Sequence, residues 1–93
     1  MHNAAKTLYR EVLIHNELGL HARPAAQIAK LAKNATSKVW LVKDNEAVDA
    51  SSIIDILTIA GKAGSMVTVK IEDRSDVDIL NSIVKLVEKG FEE

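Results

Sequence analysis

The sequence predicts an α+β fold: an open-faced β-sandwich in which a four-stranded, mainly antiparallel sheet carries three helices on one face. Three observations predict it. The chain has 93 residues, which is enough apolar surface for one core and not two. Four segments carry strand signals, and three carry the i, i+3, i+4, i+7 apolar spacing or the capping residues of helices. These follow one another as β-α-β-β-α-β-α, and three amphipathic helices beside strands with one polar face pack as two layers.

Met1 to Lys6 have no apolar period and read as a flexible N-terminal extension (residues 1–6) to a single domain over residues 7–93. Thr7 to His15, rich in β-branched and large apolar residues, form the first strand and end before Asn16-Glu17-Leu18-Gly19. The first helix shows its stripe at Ala25, Ile28, Ala29 and Ala32, with Gln27, Lys30 and Lys33 on the other side. Pro24 suits its first turn, because its fixed φ is helical and its missing N–H would lack an intrahelical acceptor anyway. Lys38 to Lys43 and Glu46 to Asp49 are two strands joined by the turn residues Asp44-Asn45. Ser51 or Ser52 caps a short helix through about Ile59, and Gly61 and Gly64 mark its exit. Met66 to Glu72 alternate as a strand with Val67, Val69 and Ile71 on one face. The last helix has a capping-box pattern at Ser75 and Asp78, a stripe of Leu80, Ile83, Val84 and Val87, and a stop at Gly90.

Composition excludes several classes of function. Hydrophobic residues make up 47% and charged residues 27%, so disorder is not expected. Twelve Lys and Arg against thirteen Asp and Glu give a net charge of −1, which argues against a nucleic-acid or membrane-surface binder. Without cysteine there is no disulfide scaffold, thiolate metal site or cysteine catalysis. Apolar runs are too short for direct membrane insertion and residues 1–7 lack a secretory signal's apolar core, so a cytoplasmic location is expected. Only Tyr9, Trp40 and Phe91 are aromatic. The core must therefore be aliphatic, Trp40 reads as a half-buried strand residue, and the strands are expected to lack an aromatic pair for stacking bases.

Histidine is the one residue type here that titrates near neutral pH and can act as nucleophile or base. His2 lies in the extension and His15 at a strand end, and neither has metal-ligand spacing to other donors. His21 stands apart in Gly19-Leu20-His21-Ala22-Arg23-Pro24-Ala25-Ala26, at the junction of loop and helix. A helix N-terminus presents unpaired N–H groups and about half a positive charge. Arg23 adds a planar guanidinium fork suited to phosphate oxygens, and small Ala22, Ala25 and Ala26 leave room for a second protein. Such an imidazole is a candidate phosphoryl acceptor, with Ala22 and Arg23 as the phosphate-binding residues.

The segment from Gly19 to Ala26 resembles the active-site signature of HPr, the histidine-containing phosphocarrier of the phosphoenolpyruvate:sugar phosphotransferase system. A second segment, Val48-Asp49-Ala50-Ser51-Ser52-Ile53, resembles the regulatory-serine region of that family. The resemblance covers about residues 7 to 90 and implies an HPr-like fold. It implies that enzyme I phosphorylates His21 on its δ1 nitrogen, that Arg23 assists, and that the group passes to EIIA-type proteins. The chain is then a phosphoryl carrier and not an enzyme, with no cofactor and no metal at His21. A monomer is expected. The resemblance makes Ser52 the candidate target of an HPr kinase/phosphorylase, although Ser51, where many members carry Lys or Gly, leaves open which serine is used.

In the short helix, Ile53, Ile54, Ile56, Leu57 and Ile59 surround more than one face, so some must be exposed. Ile56 and Ile59 are expected inside. Ile53 and Leu57 match the family's hydrophobic partner-binding patch, beside Ala26, while Lys30 and Lys33 offer cations to acidic partners. A regulatory adaptor in a nitrogen-related relay, or one switched by phosphorylation at Ser52, is the alternative to sugar transport.

Overall fold

The computed structural model describes residues 8–59 and 61–92. The expected extension over residues 1–6, His2 within it, and Thr7 lie outside the described residues. Strands β1 (Tyr9–Leu13), β2 (Val39–Lys43), β3 (Glu46–Asp49) and β4 (Met66–Ile71) form one sheet in the order β1-β4-β2-β3. Each neighbouring pair is antiparallel. The last strand in sequence therefore lies between the first two, which makes β1 parallel to β2 and β3 parallel to β4. Strands so related need crossovers, supplied by α1 (Ala22–Ala32) and α2 (Ile53–Thr58). A third helix, α3 (Val77–Glu88), packs on β1 and β4, and α1 packs against both α2 and α3.

One aliphatic core joins the layers. Val12, Leu41, Val67, Val69 and Ile71 from the sheet meet Ile28 and Ala29 of α1, Ile56 of α2, and Leu80, Ile83, Val84 and Val87 of α3. The period-2 and period-3.6 stripes of the sequence are these inward faces. Between β2 and β3, Asp44 and Asn45 both have positive φ, 51° and 68°. That pair of left-handed residues turns a tight hairpin, and Asp and Asn bear the conformation at low cost.

The first helix runs from Ala22 with Pro24 in its first turn, as expected, and its exposed Ala22 and Arg23 precede the apolar stripe. One expectation needs correction. The Ser75–Asp78 capping box does not form. Asp73 accepts the Ser75 N–H at 2.8 Å, residues Arg74–Asp76 make a 3-10 turn, and the Ser75 hydroxyl faces that of Thr36 at 3.1 Å. On the outer sheet face Tyr9 and Trp40 each stand opposite Lys70, on two strands that β4 separates. Trp40 is already engaged, since its Nε1 donates to Glu72 Oε2 at 2.9 Å and Lys38 Nζ lies 5.2 Å from its ring centre.

Gly90, with φ 65°, ends the last helical turn, and the chain then folds Phe91 back into the core. His15 bridges this end of the fold. Its Nε2, which must carry the proton because a carbonyl only accepts, donates to the Glu88 carbonyl at 2.6 Å.

Candidate functional site

His21 is the N-cap of α1, with extended backbone angles (φ −83°, ψ −169°), and its side chain makes no capping hydrogen bond. The main-chain amides around it are allocated in sequence. The Gly19 N–H donates to the Asn16 carbonyl, the Leu20 N–H to the Gly61 carbonyl, and the His21 N–H to the Gly19 carbonyl. Pro24 has no N–H, and the Ala25 N–H closes the first intrahelical bond onto the His21 carbonyl at 3.0 Å. That leaves the N–H groups of Ala22 and Arg23, which find no acceptor among the described residues. The proline thus narrows the open donors of the turn to two adjacent amides, where the helix dipole is most positive. Both residues are exposed, and Arg23 carries its guanidinium on the same turn.

The loop before the histidine is fixed by close backbone contact. Gly19 has φ +67°, and a Cβ there would collide with the Gly61 carbonyl. A Cβ at Gly61 would in turn lie 2.6 Å from Leu20 Cδ1 and 2.8 Å from Ile14 Cδ1. Gly19 is needed because the Gly61 main chain occupies the space a side chain would take, and Gly61 because the Leu20 and Ile14 side chains do. Beside this crossing lies an open depression of about 450 Å³ lined by His21, Glu17, Leu18, Leu20, Gly61, Lys62 and Ala63. His21 therefore stands half-buried at the edge of a hollow that also holds one cation and one exposed leucine.

The remaining candidates divide by location. On α1, Ala22, Ala26, Lys30 and Lys33 are all exposed and continue the His21 end along one solvent-facing stripe. On α2, Ile56 is fully buried and Ile59, its C-cap, is also buried, while Ile53 is 38% and Leu57 42% exposed. These exposed residues belong to two helices that pack against each other. Ile54, at 74%, and Leu18, at 70%, are more exposed still. Sequence reading left both unassigned, although an uncompensated leucine between Glu17 and Gly19 is itself a signal. Lys62 was also missed. It enters the site through the Gly19–Gly61 crossing, which no local pattern reveals.

The two serines before α2 differ. Ser52 is its N-cap, and its Oγ accepts the Asp55 N–H at 3.2 Å. Ser51 instead donates its hydroxyl to Asp49 Oδ1 at 2.7 Å and its N–H to the same oxygen at 2.8 Å. Those two hydrogen bonds, helped by Lys38 at 3.6 Å, hold the Asp49 carboxyl below the usual carboxylate range. His15 serves the Glu88 end of the fold described above. Among the described residues no three His, Asp or Glu side chains are grouped as a metal site would need, and no helix is long and apolar enough to cross a membrane.

A family model described as the PTS HPr component phosphorylation site matches residues 8–89. The chain belongs to the HPr family. Phosphocarrier protein HPr of Treponema pallidum is 37% identical to it, over 90% of this chain and 96% of that one. Phosphocarrier protein NPr of Proteus mirabilis is 35% identical, over 94% and 98%. A crystal structure of an HPr from Thermoanaerobacter tengcongensis matches with a TM-score of 0.85 at 34% identity, covering 91% of this chain and 96% of that one. The HPr fold, with its four antiparallel strands and three helices, is thus present from end to end of the match. The family is one of phosphocarriers.

Proposed function

We propose that the chain carries a phosphoryl group on His21 in a phosphoenolpyruvate-dependent relay, accepting it from enzyme I and passing it to EIIA-type proteins in the cytoplasm. The observation that supports this most is the pair of open amides at Ala22 and Arg23, directly after a histidine that does not spend its ring on capping. The Nδ1 lone pair attacks phosphorus, an N–P bond forms, and the bond from phosphorus to the donor breaks. The incoming oxygens meet the two N–H groups, the helix dipole and the Arg23 guanidinium, which stabilise negative charge without first having to reorganise. Onward transfer is the same step in reverse toward a partner's nucleophile. Ala26, Lys30, Lys33, Ile53 and Leu57 then form the surface on which donor and acceptor dock in turn, apolar at its centre and basic at its rim.

Regulation through Ser52 fits the same frame. A phosphate on Ser51 would be built against the Asp49 carboxylate, whereas one on Ser52 would sit at the start of α2 among N–H donors. Ser52 is therefore the serine an HPr kinase/phosphorylase would modify. A relay serving nitrogen regulation instead of sugar uptake is the second reading, favoured by the NPr relative at 35% identity.

Incubation with phosphoenolpyruvate and enzyme I should add one phosphate, stable in base and labile in acid, and His21→Ala should take none. An unmodified wild-type chain, or an equally modified His21→Ala, refutes the relay. Pull-downs with the phosphorylated and unphosphorylated forms separate the two pathways by the partners retained.

A further inference from the structure

One buried polar side chain holds the loop that delivers His21. Asn16 is only 6% exposed, and its Nδ2 donates to the Gly19 carbonyl at 2.9 Å. That same carbonyl accepts the His21 N–H at 3.0 Å. The other end of the Gly19–Leu20 peptide is also tied, since the Leu20 N–H donates to the Gly61 carbonyl at 2.8 Å. A peptide that follows glycine flips readily, because glycine accepts nearly any φ and ψ. A flip here would turn the carbonyl away from the His21 N–H and the Leu20 N–H away from Gly61. The buried hydrogen bond from Asn16 to this carbonyl would be broken by the flip and so opposes it.

We propose that Asn16 is a positioning residue for His21: through the Gly19 carbonyl it fixes the peptide from which the histidine's main chain, and so its ring, takes its direction. Its effect on transfer rests on the reading of His21 as phosphoryl acceptor, while its effect on geometry does not. The ring needs such a hold. Displacing a reacting group by an ångström costs orders of magnitude in rate.

Asn16→Asp tests this with a side chain of the same shape. The ionised carboxylate cannot donate to Gly19, but the protonated acid can. In ¹⁵N-labelled protein at pH 7, the His21 amide of the variant should exchange faster than wild type and its ring resonances should shift, while core amides such as Leu41 and Val69 keep their protection. At pH 4 the His21 amide should return toward the wild-type value at that pH. The two proteins are compared at each pH, because Glu17, His21 and Lys62 line the hollow and His15, Glu17 and Lys89 line the depression beside Asn16. Phosphorylation by enzyme I at pH 7 should slow roughly tenfold. Asn16→Ala should show the pH 7 changes without the acid recovery. His21 signals that coincide with wild type at pH 7, or protection lost equally across the core, overturn the positioning role. An unchanged rate despite shifted resonances overturns its part in transfer. A wild-type chain that takes no phosphate refutes the acceptor reading, and the resonances then decide the positioning alone.

Discussion

Arg23 follows the candidate acceptor by two residues and shares a helical turn with it, so its contribution can be isolated without touching the core. A guanidinium offers a planar fork that engages two phosphate oxygens together, whereas an ammonium offers a point charge. Arg23→Lys should therefore slow phosphorylation of His21 about tenfold, and Arg23→Gln, which loses the charge as well, about a hundredfold. Single-turnover rates with excess enzyme I check this, and unchanged thermal unfolding confirms that the loss is local. His21, Arg23 and Pro24 are legible in the sequence because a helix N-terminus is a local device. Asn16 is not, since an asparagine in a loop gives no sign that it is buried or which carbonyl it meets.

Among the elements, α2 depends most on its cap. It has six residues, too few to be stable by propensity alone, and Ser52 satisfies one of its first amides. Ser52→Ala should cost about 1 kcal/mol, read as a lower urea midpoint at unchanged slope. If α2 then frays, Ile53 and Leu57 lose their common face, and docking should weaken along with stability. The sequence offers Ser51 or Ser52 as the cap because both precede the apolar run. What separates them is Asp49, which sits at the end of β3 and takes both donors of Ser51. The start of α3 misled the reading in the opposite way: the capping-box pattern is present, but a contact from elsewhere in the chain displaces it.

That contact is a link across the whole molecule. Asp76, buried before α3, accepts the Thr36 N–H at 2.8 Å, the Ser37 N–H at 3.0 Å and the Thr36 hydroxyl at 3.1 Å, joining residues 40 apart. The Thr36 N–H is the main reason its carboxyl lies below the usual carboxylate range, with the Ser37 N–H and the Thr36 hydroxyl adding to it against the opposing effect of burial. A depressed carboxyl binds protons less well in the folded than in the unfolded chain. Its contribution to stability is therefore complete above the unfolded pKa of about 4, and is lost as pH falls through the folded value. The melting temperature should drop on acidification below about pH 4. Asp76→Asn should melt lower at pH 7, with the gap to wild type narrowing as pH falls. A gap that stays constant with pH would show that the charge is not what holds α3 to the α1–β2 loop.

The order of elements, the residues facing inward and the histidine at a helix start follow from the sequence by itself, because side-chain period and terminal capping act over a few residues. Only the tertiary structure decides that β4 lies between β1 and β2, that Gly61 passes beneath Gly19, and that Asn16 and Asp76 find their acceptors and donors. Those outcomes depend on which distant segments are brought together by burying one shared apolar face, and no local pattern in the chain encodes the partner.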